Sequence, residues 1–167
     1  MSEFNPTKPV NDIIDLDLHE TRKKKFRIDK DDNRILELNT SDMNILNRVS
    51  EAYPKLNALQ ERASKLMDGI NTSETDNPDD VMHGVSEMAQ RLKEVDTEMR
   101  SLIDYMFDSN VSDVTAPDGS MYDPFNGSFR FEYIITLLMK QYEDNLQSEF
   151  NKMEKQLKKH TDKYTRG

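Results

Sequence analysis

Residues 77–107 read NPDDVMHGVSEMAQRLKEVDTEMRSLIDYMF, and this run decides the fold class. Asn77 offers a cap oxygen, Pro78 suits the first helical position, and Asp79 and Asp80 sit where a helix N-terminus favours negative charge. From there Val81, Val85, Met88, Leu92, Val95, Met99, Leu102 and Met106 recur at alternating spacings of four and three, an unbroken heptad seam. At the usual rise per residue such a helix extends about 45 Å. The seam predicts a helical hairpin or bundle within the chain, or else a surface for self-association or for a partner. Methionine at three seam positions suits an adaptable surface.

The seam runs into an aromatic, turn-rich junction. Residues 103–142 hold Tyr105, Phe107, Tyr122, Phe125, Phe129, Phe131, Tyr133 and Tyr142, eight of the thirteen aromatics of the chain. Aromatic side chains carry the largest burial energies, so a core or an interface is expected here. We expect Phe107, Phe131 and Ile135 to pack together, with the loop 109–127 exposed. Asn126-Gly127-Ser128 offers a turn and a cap. Phe131, Ile135, Leu138, Tyr142, Leu146, Phe150, Met153 and Leu157 then mark another long helix, widened near its start by Ile134 and Leu137.

Upstream, Thr40-Ser41-Asp42 is a helix start, followed at helical spacing by Ile45, Leu46, Val49, Tyr53, Leu56, Leu59, Ala63, Leu66, Met67 and Ile70. Pro54 lies inside this run, which predicts a kink or break near Tyr53. Gly69 ends it, and 71–78 reads as a polar hinge loop. Residues 26–29 and 34–38 alternate apolar and polar positions across a polar turn, the pattern of a β-hairpin with Asn33 in the left-handed conformation. Ile14, Leu16 and Leu18 alternate with Asp15, Asp17 and His19, as in a short strand or a linear motif that joins the sheet edge of a partner. The expected architecture is mainly α, with three long helices, the first kinked at Pro54, and a small N-terminal β-hairpin. Its divisions are a mobile N-terminal tail over 1–22, a helical domain over 23–157 and a basic C-terminal tail over 158–167.

Composition narrows the functional classes. Leu, Ile, Val and Phe make up about 22% of the 167 residues, just above the level at which disorder is expected. Net charge is −9, concentrated in a middle segment, while Lys152, Lys155, Lys158, Lys159, Lys163 and Arg166 make the end basic. That basic run is short and carries one aromatic, Tyr164, which disfavours nucleic-acid binding. The absence of cysteine excludes disulfides and thiolate metal sites. No basic, apolar leader opens the chain, and its longest apolar run falls far short of the roughly 20 residues that cross a bilayer. Asp29-x-Asp31-x-Asn33 begins like a calcium loop. However, Arg34 replaces the turn glycine and Thr40 the closing glutamate, so a solvated turn is the better reading. His19, His83 and His160 lie far apart, and no glycine-rich phosphate loop or nucleophile elbow occurs. The expectation is a binding protein without catalytic residues, metal or cofactor.

Three segments carry a family resemblance: FRID at 26–29 with RILELNTSD at 34–42, the acidic linker before the long helix, and IDYMFDSNV at 103–111. Over a little more than half of its length the chain resembles the small tail-assembly chaperones of long-tailed, siphovirus-type phages of Gram-positive bacteria. The resemblance implies a helical, non-enzymatic protein of the host cell cytoplasm. Such a protein binds the long tape measure protein, keeps it soluble and recruits tail-tube subunits during tail morphogenesis. A flexible, Met-rich groove suits a long helical client. The expected partner-binding set is therefore Met88, Leu92, Val95, Met99, Leu102, Met106 and Phe107, with Phe131, Ile135, Leu138 and Tyr142. The alternative is a homo-oligomeric helical structural or regulatory protein that self-associates through the heptad seam.

Overall fold

The computed structural model describes residues 12–17, 23–69 and 77–165. The tail over 1–11 and 18–22 and the hinge over 70–76 lie outside the described residues, as do Leu18 and His19. The chain is mainly helical, with a small antiparallel hairpin at the N-terminal side. Its order is β1 (Lys24–Arg27), β2 (Ile35–Leu38), α1 (Ile45–Asp68), α2 (Pro78–Phe107), α3 (Val111–Thr115), β3 (Pro124–Phe125), β4 (Ser128–Phe129) and α4 (Arg130–Thr165).

In the first hairpin Phe26 lies opposite Leu36 and Lys24 opposite Leu38. Leu36 and Leu38 are buried and Phe26 half-buried, so one face of the sheet supplies core. The left-handed residues of its turn are Asp29 (φ 52°) and Lys30 (φ 60°), where Asn33 was expected. Asp31 instead accepts the Asn33 N–H at 2.9 Å, and Asp29 pairs with Arg34 at 2.9 Å. Two carboxylates of the calcium-like pattern are thus occupied within the turn. Residues 12–17 form no strand. Ile13, Ile14 and Leu16 there are all well exposed.

Helix α1 starts at Ile45, later than its cap residues suggest, because Thr40-Ser41-Asp42 are spent in a preceding turn. There Asn39 Oδ1 accepts the Ser41 N–H at 3.2 Å and Asp42 Oδ1 accepts the Asn44 N–H at 2.9 Å. Of the kink or break expected near Tyr53, the break does not occur. The helix is continuous through Pro54, which occupies an exposed position. Burial on the opposite side accounts for the continuity: Ala52, Leu56, Leu59 and Ala63 are anchored in the core on both sides of the proline.

Helix α2 begins as its sequence dictates, with Asn77 Oδ1 accepting the Asp79 N–H at 3.1 Å. It packs against α1 along the heptad seam. At the base of this pair Arg48 Nε donates to the Met106 carbonyl at 2.8 Å, and the Tyr105 hydroxyl donates to Glu51 at 2.7 Å. At the other end Gly69 lies beside the Met88 methyl group. The two helices therefore form an antiparallel hairpin. Ala52 and Ala63, small and fully buried on α1, permit close approach to Val95, Met99, Ile103 and Met106 on α2. Toward the tip the seam opens, leaving Val81, Met82 and Val85 exposed.

The segment between α2 and α4 is packed onto the body, contrary to the exposed loop expected at 109–127. Val111, Ser112, Ala116 and Met121 are buried. Asn126 (φ 47°) and Gly127 (φ 83°) form the two-residue turn joining β3 to β4. Two positive φ values in succession match the twist of a tight hairpin, which is why Asn-Gly serves here as a hairpin turn and α4 begins only at Arg130.

Helix α4 runs in the same direction as α2. Near its start Phe131 N–H donates to the Met121 carbonyl, and the Met121 N–H donates to Asp96 at 2.7 Å. Further along, the Tyr142 and Phe107 rings lie 5.9 Å apart. Asn145 then meets Ser41 at 3.1 Å and Lys24 at 2.6 Å. Beyond that point the core ends while the helix continues to Thr165, so part of the expected basic tail over 158–167 is helical. The hairpin tip and the distal part of α4 thus extend from opposite ends of the body. Among the described residues, no helix is long and apolar enough to cross a membrane.

Candidate protein-interaction surfaces

The sequence-predicted contact residues converge, but on one another. Val95, Met99, Met106, Phe107, Phe131, Ile135, Leu138 and Tyr142 are buried in one cluster, with Leu92 and Leu102 half-buried against it. Met88 is half-buried near the tip. The binding surface expected at these side chains is therefore corrected: they are mostly the protein's own core. Their burial follows from α1, whose apolar residues at Ile45, Val49, Ala52, Leu56, Leu59, Ala63 and Leu66 present a second seam to α2. Within the cluster Phe107 lies against the Tyr142 ring, whereas Phe131 stacks on Phe129 at 6.2 Å.

Three arginines hold the junction in place, a role the sequence alone did not assign to them. Arg34 donates to the carbonyls of Val114 and Thr115, both at 2.9 Å. Arg48 spans the Met106 carbonyl and Asp42. Arg100 pairs with Asp96 at 2.8 Å and donates to the carbonyls of Ala116 and Gly119 at 2.9 and 2.8 Å. Charged donors on partly buried carbonyls make stronger hydrogen bonds than neutral ones, so these contacts fix the loop backbone firmly. Asp104 adds a further clamp, accepting both the N–H and the hydroxyl of Ser112. The Asp96–Arg100 pair was the legible signal, since residues four apart share a helix face. Asn145 was another: it is a polar residue in the apolar stripe three positions after Tyr142.

Two tyrosine hydroxyls are shifted from their usual range. Burial pushes the Tyr142 hydroxyl up to about 12, opposed by Arg48 and reinforced by Asp42 and Asp108. The Tyr105 hydroxyl is raised by its hydrogen bond to Glu51.

Apolar surfaces outside the core of the described residues include a groove and a helix face. The first is a groove of about 590 Å³ between α1 and α2. Ala58, Leu59 and Leu102 form its apolar floor, with Lys55 and Arg62 on one rim and Thr97, Glu98 and Ser101 on the other. The second is the distal half of α4. Every described side chain from 147 to 159 is exposed, including Phe150 at 47% and Met153 at 56%, which continue the buried stripe into solvent. Exposed large apolar side chains on a continuing helical register are a recognised mark of contact surfaces. No protein family, curated protein or solved structure matches the chain.

Proposed function

We propose that the chain is a tail-assembly chaperone that binds an elongated, helical tape measure protein in the host cytoplasm, keeps it soluble and helps recruit tail-tube subunits. The observation that supports this reading is the α1–α2 groove, which stays open after the heptad seam has been consumed by the hairpin. Two antiparallel helices with an apolar floor between them accept a third amphipathic helix, the helix-in-groove mode of recognition. A basic rim from Lys55 and Arg62 faces Glu98 across the floor, so a client helix with acids on one flank and bases on the other is held in one orientation. Self-association through the α2 seam is the competing reading, and it requires the hairpin to open, because that seam faces α1.

Co-expression tests the proposal. The soluble yield of a phage tape measure protein should rise when it is produced together with this chain. Ala58→Glu with Ser101→Glu charges the groove at exposed helix positions, so circular dichroism should be unchanged while the gain in soluble client is lost. No gain with the unaltered chain counts against the chaperone reading. A full gain with the doubly charged groove removes the groove as the contact.

A further inference from the structure

We infer that the distal half of α4 pairs antiparallel with the same stretch of a second copy of this chain. Leu146, Phe150, Met153 and Leu157 are spaced four, three and four, which places Leu146 and Met153 at one type of seam position and Phe150 and Leu157 at the other. Phe150 and Met153 are exposed, Leu146 is half-buried, and Leu157 extends the register at 65% exposure. An antiparallel pair centred between Phe150 and Met153 sets Phe150 of each copy against Met153 of the other. The same operation sets Leu146 against Leu157.

The residues flanking the seam select this orientation. Gln147 and Glu154 occupy one flank, Glu149 and Gln156 the other. In the antiparallel arrangement Gln147 meets Glu154 and Glu149 meets Gln156, each twice by symmetry, giving four amide–carboxylate pairs. In a parallel arrangement Glu149 of each copy faces Glu154 of the other, two like-charge contacts. The lysines at 152, 155, 158 and 159 lie outside the seam; Lys152 pairs with Glu149 of its own helix at 3.6 Å, and this pair can persist in either arrangement. Sterics agree with the choice. α4 is last tied to the body at Asn145, and in the antiparallel pair that residue of the second copy comes level with Lys158. The two bodies therefore sit at opposite ends of the paired segment, and the contact is isologous and closed.

Sedimentation equilibrium of the full chain, without any client, tests the inference. The average mass should climb from that of the 19.5 kDa monomer toward that of a dimer as concentration rises from micromolar to near-millimolar. Phe150→Glu with Met153→Glu, both at exposed positions, should abolish the rise with unchanged helicity. Gln147→Lys with Gln156→Lys converts the four amide–carboxylate pairs into ion pairs only in the antiparallel arrangement, and should tighten association about tenfold at low salt. A monomer at every concentration overturns the inference, as does association indifferent to the Phe150 and Met153 changes. Weaker association of the lysine variant overturns the antiparallel orientation. Client binding enters none of these readouts, so the outcome stands apart from the chaperone proposal.

Discussion

Replacing Phe131 with alanine probes whether the junction is a core. The side chain is fully buried, stacked on Phe129 at 6.2 Å, at the start of the helix that closes the fold. A buried phenylalanine removes about 150 Å² or more of apolar surface from water, equivalent to roughly 4 kcal/mol at 25 cal/mol per Å². Alanine recovers a small part of this, and the cavity left behind adds a cost. A loss of about 3–5 kcal/mol is therefore expected. For a chain of this size that lowers the melting temperature by on the order of 10 °C. Urea unfolding followed by far-ultraviolet circular dichroism, at low micromolar concentration, gives the number. Phe150→Ala is the matched control, because it deletes the same ring at a position 47% exposed and should cost less than about 1 kcal/mol there. A Phe131→Ala loss below about 1 kcal/mol would refute the reasoning and return this cluster to the status of a partner surface.

Two further outcomes follow from particular residues. Tyr142 has its hydroxyl raised from the usual 10 to about 12 by burial, so folding favours the neutral phenol. Its contribution is complete below pH 10 and is lost as pH rises through 12; a shift of this size corresponds to about 2–3 kcal/mol, and Tyr142→Phe should remove that part of the alkaline destabilisation in pH-resolved urea melts. Pro54 lies exposed within a continuous helix and withholds one N–H from the ladder, so Pro54→Ala should stabilise the chain by about 1–3 kcal/mol in the same assay, and a loss would show that the proline geometry is needed for α1 to follow α2.

The periodic parts of the fold were legible, and the irregular parts were not. Residues 78–107 carried their own cap, proline and seam, and α2 spans those residues. The first hairpin was readable from alternation, although its left-handed residues proved to be Asp29 and Lys30. Propensity alone does not separate one polar turn residue from its neighbours; the pairing of Arg34 with Asp29 and of Asp31 with the Asn33 N–H decides among them. Pro54 does not interrupt α1, because the local steric rule against continuing the helix is outweighed by tertiary burial on the opposite helix face. The loop at 109–127 misled because its polar composition gave no sign of the two arginines and two aspartates that satisfy its backbone from the first hairpin and α2. The candidate contact set lies mostly in the chain's own core for a different reason. A heptad seam marks apolar contact without saying whether the opposing helix belongs to the same chain, and α1 presents the matching seam. What remained visible as surface was the part of each stripe that outruns its partner.

The unbroken course of α4 has a mechanical consequence. One rod of 36 residues begins against the Met121 turn, crosses the core at Tyr142 and continues well past Asn145. No flexible linker separates its buried part from its exposed part, so whatever the distal half holds keeps a set distance and bearing from the α1–α2 groove. In the α4-paired dimer the groove of each copy, joined through such struts, would grip a long client at two places at once. The second grip would then be governed by an effective concentration that the strut length fixes. Inserting a glycine pair after Asn145 would leave both surfaces chemically intact while releasing that bearing, and with it the avidity.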